Sequence, residues 1–569
     1  MANFSSSPGV SLNELDNSFI SPIPVKVGAA VVGPTVKGPV EIPVVVTSYS
    51  DYKNRFGGSL ISGSDTYSYL TSITAYNYFN NGGDTLLVTR VVNGTYTAAT
   101  SSTVSNYLDA SSASFALETI SEGVIMNSDS TLNSDGSLPD GTSDNVRWEI
   151  TNSNTGSGTF NVLIRLGNDR TSKKAVVESF TNVNLDPNSP RYIANVIGDQ
   201  VVSYNSVEEQ IDIISGSFSN NSRYVRVKDI TPTPNYLDNS GVAVTAYTAS
   251  VPQNGSGSFG GATGDVAGGA NFYETIDNTD TQGLASTDYS NAVNLLANSN
   301  DYQFNTLLTP GLINSAATHA GVISSVITNT QLRGDSIYVV DMVGYNETLS
   351  EAVTQAQTRD NSYAATYWPW LRIQDPETGK NVWVPASTMI GGVYAHTDKV
   401  SAPWFAPAGI NRGGLGSVLR AKNKLSQSNR DELYANNINP IATFPKKGIV
   451  VFGQKTLQKD ASALDRINVR RLLIELKSFI GQTADNIVFE QNTITTRNKF
   501  LSQVNPYLES IKQKQGLYAF KVSMDDNLNT PDVIDRNQLV GQIYIQPTRT
   551  AEFINLDFIL QSTGAEFPA

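Results

Sequence analysis

The 569-residue sequence has no cysteine and only two histidines, His319 and His396. The missing cysteines exclude disulfides, thiolate nucleophiles and cysteine-based metal sites, and they fit a reducing compartment. Two histidines are too few for a multi-histidine metal centre, and a Ser-His-Asp triad would have to use one of them. Both are expected to be structural: His319 lies in the helix-like NSAATHAGVISSVI and His396 in GGVYAHTDKV. No apolar run is long enough to cross a bilayer. The start, MANFSSSPGV, lacks the basic and apolar regions of a signal peptide, so neither membrane insertion nor a secretion leader is expected.

Charge is sparse, and what there is lies unevenly. The net charge is −13, yet residues 412–521 hold 18 Lys/Arg against 8 Asp/Glu, a surplus of +10, so the remainder carries −23. Residues 94–281 alone hold 21 Asp/Glu against 9 Lys/Arg. Such segregation reads either as a charged face with a partner or as a solvated surface.

The length calls for several domains, and the pattern divides the chain. Residues 1–20 read as an arm, with a turn signal and scattered apolar residues but no core of their own. Val25–Val32 and Ile42–Thr47 read as strands separated by Gly-Pro turns, Asp65–Phe79 as a helix, and DTLLVTRVV from Asp84 as a buried strand. Residues 94–281 then turn to Ser, Thr, Asn, Gly and Asp with isolated strand-like runs, VRWEIT, FNVLIRLG and YVRVKDI. They read as a β-rich, acidic insertion in one or two pieces. Its GGATGDVAGG lacks the lysine and the strand–helix setting of a phosphate loop. The helix–strand rhythm returns near Gly283: helices at Ser286–Ala297, Asn314–Thr328 and Thr348–Gln357 alternate with the strands FNTLLTPGL, SIYVVDMVG and YAATYWPW. That alternation implies βαβ units and a mostly parallel sheet. An RGD triplet at Arg333–Asp335 falls where a helix gives way to a strand and reads as a tight turn.

The expected fold class is α/β, mixed α+β overall. A discontinuous α/β core domain, 21–93 plus 282–400, is interrupted by the insertion 94–281. An α+β C-terminal domain, 401–549, and a terminal strand or arm, 550–569, follow. Between core and C-terminal domain lies SAPWFAPAGINRGGL. Pro403 and Pro407 fix φ there, Gly409, Gly413, Gly414 and Gly416 permit turns, Trp404 and Phe405 offer apolar anchors, and Arg412 has the geometry to clamp a carboxylate or carbonyls across the join. Nothing in the loop is arranged for a reaction. Downstream, Leu472, Leu473, Leu476, Phe479 and Ile480 share one helical face, Arg471 and Glu475 form an i,i+4 pair, Gly481 is the expected helix end, and Thr493–Gln515 reads as a second long helix, bent at Pro506. GLYAFKVSM and LVGQIYIQP read as strands. In AEFINLDFILQ, Ile554, Leu556, Phe558 and Leu560 alternate into one apolar face, with Phe553 and Ile559 on a mixed one. Such a terminal strand can pair with its own sheet or with a neighbour's.

Four stretches, in this order, resemble the tail sheath proteins of contractile-tailed bacteriophages: SPGVSLNEL, VGAAVVGPTVKGPVEIPVVVTSYSDYKNRFGG, APWFAPAGINRGGL and IYIQPTRTAEFINLDF. The resemblance covers roughly the first 95 residues and the chain from about 283 onward, and the third stretch (Trp404, Phe405, Pro407, Gly409, Arg412, Gly413, Gly414) is its most distinctive part. It implies a structural protein that polymerises as stacked six-fold rings around an inner tube and contracts from a metastable extended state. Neighbours would be linked by exchanged arms: an N-arm with Pro8, Gly9, Val10, Leu12, Leu15, Phe19 and Ile20, and a C-strand with Phe553, Ile554, Leu556, Phe558, Ile559 and Leu560. The C-terminal domain would face the tube through basic residues, of which Arg466, Arg470, Arg471, Lys477, Arg497, Lys499, Lys512 and Lys514 are candidates. The implied partners are further copies of the chain, the tail tube protein, and baseplate and tail terminator or neck proteins, with no direct nucleic-acid contact and no cofactor. The place implied is the virion, after assembly in the host cytoplasm. Other readings are the sheath of a non-phage contractile injection system, a surface adhesin or fibre, and an enzyme; counting Asp and Glu alone leaves a carboxylate-pair glycosidase open.

Overall fold

The computed structural model describes residues 28–62, 64–102, 104–105, 113–128, 131–266 and 271–554. Its centre is an eight-stranded sheet in the order Val44–Val46, Leu86–Arg90, Ala29–Gly33, Thr306–Ile313, Ile337–Asp341, Ala364–Trp368, Asn439–Phe444, Gly448–Val451. The six inner strands run parallel and only the two outermost are antiparallel to their neighbours. Ala29–Gly33 lies between Leu86–Arg90 and Thr306–Ile313, so strands from before and after the acidic stretch share one sheet.

The continuous apolar runs follow from burial on both faces: AAVVG, LLVTR and IYVVD are buried at every position. One face packs against the helices Leu70–Asn80 and Ser387–Val400. The other packs against His319–Arg333, Leu349–Ala356 and Gln427–Ala435. Gly391 and Gly392 let Ser387–Val400 sit between sheet and helix: a Cβ on Gly391 would meet Leu308 at 2.6 Å, and one on Gly392 the Asn77 carbonyl at 2.8 Å. Asp341, at the end of its strand, accepts the Ser387 amide at 3.1 Å and the Ser387 hydroxyl at the start of that helix. Burial, only partly offset by these bonds, pushes the Asp341 carboxyl up to about 7.

Some boundaries differ from expectation. Asp65–Tyr67 pairs with Leu60–Ser62 as a short hairpin, and the helix starts only at Leu70. The helix expected from Asn314 starts at His319, because Asn314 and Ser315 give their amides to the Asp341 and Met342 carbonyls; it runs on to Arg333. Gly334 then closes it at φ 71°, and Arg333 pairs with Asp335 at 2.8 Å, so the RGD triplet is a helix end. His319 is buried and accepts the Ile313 amide.

Between Ala98 and Gly260 the chain builds two antiparallel sheets and a separate hairpin, Val201–Asn205 with Gln210–Ser215. The sheets enclose their own apolar cluster, in which Phe115 and Phe160 stack at 5.5 Å. Arg90 ties this part to the central sheet, giving hydrogen bonds to the Gly38 and Glu122 carbonyls at 2.6 and 2.9 Å. Buried Lys37 reaches the Asp144 carbonyl at 2.9 Å.

The C-terminal part hangs on the helix Ile467–Asp485, which has two buried faces. Ile467 and Ile474 enter the main core, while Leu472 and Leu476 enter a second cluster formed with the helix Ile494–Gln513 and a terminal hairpin. Leu473 and Ile480 pack at that cluster's margin, and Phe479 stacks on Tyr507. The helix passes Gly481 and ends at Asp485, and its partner runs through Pro506. Arg471, expected beside Glu475, reaches across to both oxygens of Asp398 at 2.7 and 2.6 Å.

A candidate intersubunit surface at the C-terminal hairpin

Leu517–Ser523 and Gln542–Pro547 pair antiparallel, and among the described residues no third strand joins them. Phe520, Val522, Ile543 and Ile545 turn toward the Ile494–Gln513 helix but stay only half-buried. Tyr518, Lys521 and Tyr544 are exposed. An isolated two-stranded sheet is marginally stable, and its unpaired edges are templates for another strand.

The chain leaving this hairpin is held by a polar clasp. Glu552 accepts hydrogen bonds from the Tyr434 hydroxyl at 2.7 Å, Gln454 Nε2 at 2.9 Å and Arg466 Nε at 2.8 Å. Gln454 also bonds the Thr550 hydroxyl. Burial alone would raise the Glu552 carboxyl, but the bonds from Tyr434, Arg466 and Gln454 outweigh it and hold the group below its ordinary value. Beside the clasp is a cavity of about 410 Å³ between residues 461–469 and 549–553. Immediately past it, Phe553 and Ile554 are 83% and 76% exposed. The remaining C-strand candidates, Leu556, Phe558, Ile559 and Leu560, and the N-arm candidates Pro8, Gly9, Val10, Leu12, Leu15, Phe19 and Ile20 lie outside the described residues. Glu552, Tyr434 and Gln454 were not among the candidate site residues; the signal was one acid immediately before a terminal apolar run.

The glycine-rich loop performs two tasks. Gly409 and Gly413 exchange backbone hydrogen bonds with Val451, and Leu415 bonds Ile449, so the loop covers the outer edge of the central sheet. A Cβ on Gly413 would meet the Val451 carbonyl at 2.8 Å, which explains the glycine. Trp404 reaches the other way: its indole N–H bonds the Lys514 carbonyl at 3.1 Å and its ring lies against Gly516, at the foot of the hairpin. Pro407 is buried and Gly414 pairs with Val450. Arg412, expected to clamp across the join, stays within its own loop, on the Ala406 carbonyl at 2.9 Å and over the Phe405 ring.

The eight basic candidates divide. Arg470, Arg471 and Arg497 are buried: Arg470 lies 3.9 Å over Tyr363, Arg471 holds Asp398, and Arg497 reaches Asp526 at 2.8 Å. Arg466 is committed to the clasp. These four guanidiniums brace the chain itself, which corrects their reading as tube-facing charges; pairing with carboxylates, carbonyls and tyrosine rings is what allows their burial. Lys477, Lys499, Lys512 and Lys514 are exposed.

Two family models match this region: the phage tail sheath protein central domain over residues 282–457 and the phage tail sheath C-terminal domain over 459–561. Residues 282–561 thus carry the two named domains of the phage tail sheath family. A tail sheath protein of Vibrio phage KVP40 is 40% identical over 224 residues, 39% of this chain; the matched stretch spans 33% of that relative's length. The tail sheath protein of Salmonella phage ViI is 26% identical, with 99% of this chain and 97% of the relative covered. Among solved structures, the sheath tail protein from Listeria innocua shares the fold at a TM-score of 0.50 and 12% identity, covering 92% of this chain and 96% of that one. These two named domains supply most of the central sheet, the covering loop and the hairpin.

Proposed function

We propose that this chain is the subunit of a contractile tail sheath that stacks as six-fold rings around an inner tube, contracts from a metastable extended state and drives the tube through the host envelope. The observation that carries the reading is the terminal hairpin: two strands, edges unpaired among the described residues and a half-covered apolar face, beside a segment that presents Phe553 and Ile554 to solvent. A strand from a second copy would complete the sheet by main-chain hydrogen bonds while alternate side chains fill the apolar face. Residues 1–20 and 550–569 are the proposed exchanged segments. Contraction would then proceed by bodies that rotate and repack while the arms keep them connected.

The exposed Lys477, Lys499, Lys512 and Lys514 are the remaining candidates for an acidic tube surface, a contact that salt would weaken. The chain would act in the virion, after assembly in the host cytoplasm, with tube, baseplate and neck proteins as partners. Negative-stain electron microscopy of the full chain beside one lacking residues 1–20 tests the reading. Hollow tubes from the first and none from the second are expected; monomers from both at every salt concentration would overturn it.

A further inference from the structure

We infer that the Glu552 clasp is a positioning device that keeps the terminal segment off its own subunit's hairpin and so directs it to another copy; this rests on the strand-exchange reading above. A strand returning from Gln542–Pro547 to pair along that same hairpin needs a short connection, about 2–5 residues in most hairpins. Only Thr548–Glu552 are available before the apolar run begins at Phe553, and three of these five are already engaged. The Thr548 amide bonds the Gly516 carbonyl at 3.1 Å, the Thr550 hydroxyl accepts from Gln454, and Glu552 is held by three side chains.

None of the side chains that hold Thr550 and Glu552 belongs to the hairpin. Tyr434 comes from the helix Gln427–Ala435, Gln454 from the turn after Gly448–Val451, and Arg466 from the start of Ile467–Asp485. The chain is therefore drawn from the hairpin onto the body, and its apolar continuation starts there uncovered. The bonds to Glu552 are charge-assisted, the stronger kind.

The test compares the full chain with Glu552→Ala, Glu552→Gln and a chain ending at Ile554, measuring the protein concentration at which tubes form and hydrogen exchange in the unassembled fraction. For Glu552→Ala, loss of a charge-assisted clasp should raise that concentration about tenfold. The Gln542–Pro547 amides should become better protected in its monomer, as the freed segment pairs back. Glu552→Gln keeps the shape and the two bonds accepted by Oε1 but removes the negative charge, and should shift assembly in the same direction by about threefold; it carries the test should the alanine variant fail to fold. Wild-type assembly and unchanged exchange in Glu552→Gln, with the chain ending at Ile554 unable to assemble, would overturn the clasp and leave exchange standing. Normal tubes from the chain ending at Ile554 would overturn both.

Discussion

The central sheet and the terminal hairpin solve the problem of an unpaired strand in opposite ways. At the end of the central sheet, Gly448–Val451 is covered by the chain's own loop through Gly409, Gly413 and Leu415. The hairpin has neither a third strand nor a covering loop among the described residues, and four of its apolar side chains are half-exposed. A protein that merely had to stay soluble would close the second as it closed the first. Under the proposed strand exchange, closing one edge locally and leaving the other uncovered among the described residues would confine association to a chosen place.

Breaking the open side should have the largest effect: a chain ending at Ile554 is expected to remain folded and lose tube formation at least a hundredfold in concentration, measured by sedimentation, as the loss of a main-chain pairing strand implies. Next is the joint between the two regions. Arg471→Ala removes a buried side chain that holds Asp398 and lies over the Tyr394 ring and should cost about 2 kcal/mol in urea unfolding. Trp404→Ala, at a half-buried indole, should cost about 2 kcal/mol and deprotect amides in Leu517–Ser523 while those of Ile337–Asp341 stay protected.

Asp341→Asn probes the closed side alone. The folded state raises this carboxyl from its ordinary value to about 7, so it binds the proton more tightly than the unfolded chain does. Stability should therefore fall as pH rises from the ordinary carboxylate range to about 7 and level off above. The asparagine variant should flatten that slope and melt higher than wild type at pH 8, but not at pH 4. Smallest is the effect of Lys499→Glu with Lys514→Glu: unfolding should move by about 0.5 kcal/mol or less, while binding to a tube should weaken and lose its salt dependence.

Much of the closed side was legible in the sequence. Runs such as IYVVD read as buried strands, and their alternation with helices implied a mostly parallel sheet. Helix starts were harder: Leu70 begins its helix only after Asp65–Tyr67 has closed a short hairpin with Leu60–Ser62, and His319 only after the Asn314 and Ser315 amides have found carbonyls at Asp341 and Met342. The two sheets of the acidic stretch depend on long-range pairing that short polar-flanked runs do not announce. Charge was the least legible. A count of lysines and arginines does not distinguish Lys499, which faces solvent, from Arg470 and Arg471, which lie under tyrosine rings. Glu552 was hidden for a related reason: its partners are 118, 98 and 86 residues away.

The helix Ile467–Asp485 has a mechanical consequence. Because its two faces are embedded in two different cores and its arginines are bolted to Ser362 and Asp398, a pull on the hairpin is delivered to the parallel sheet as a load on close-packed side chains. A helix buried on both sides has little room to slide or flex. In the proposed contracting sheath it would work as a drive shaft, so that work done on one end of the chain would arrive at the other as torque.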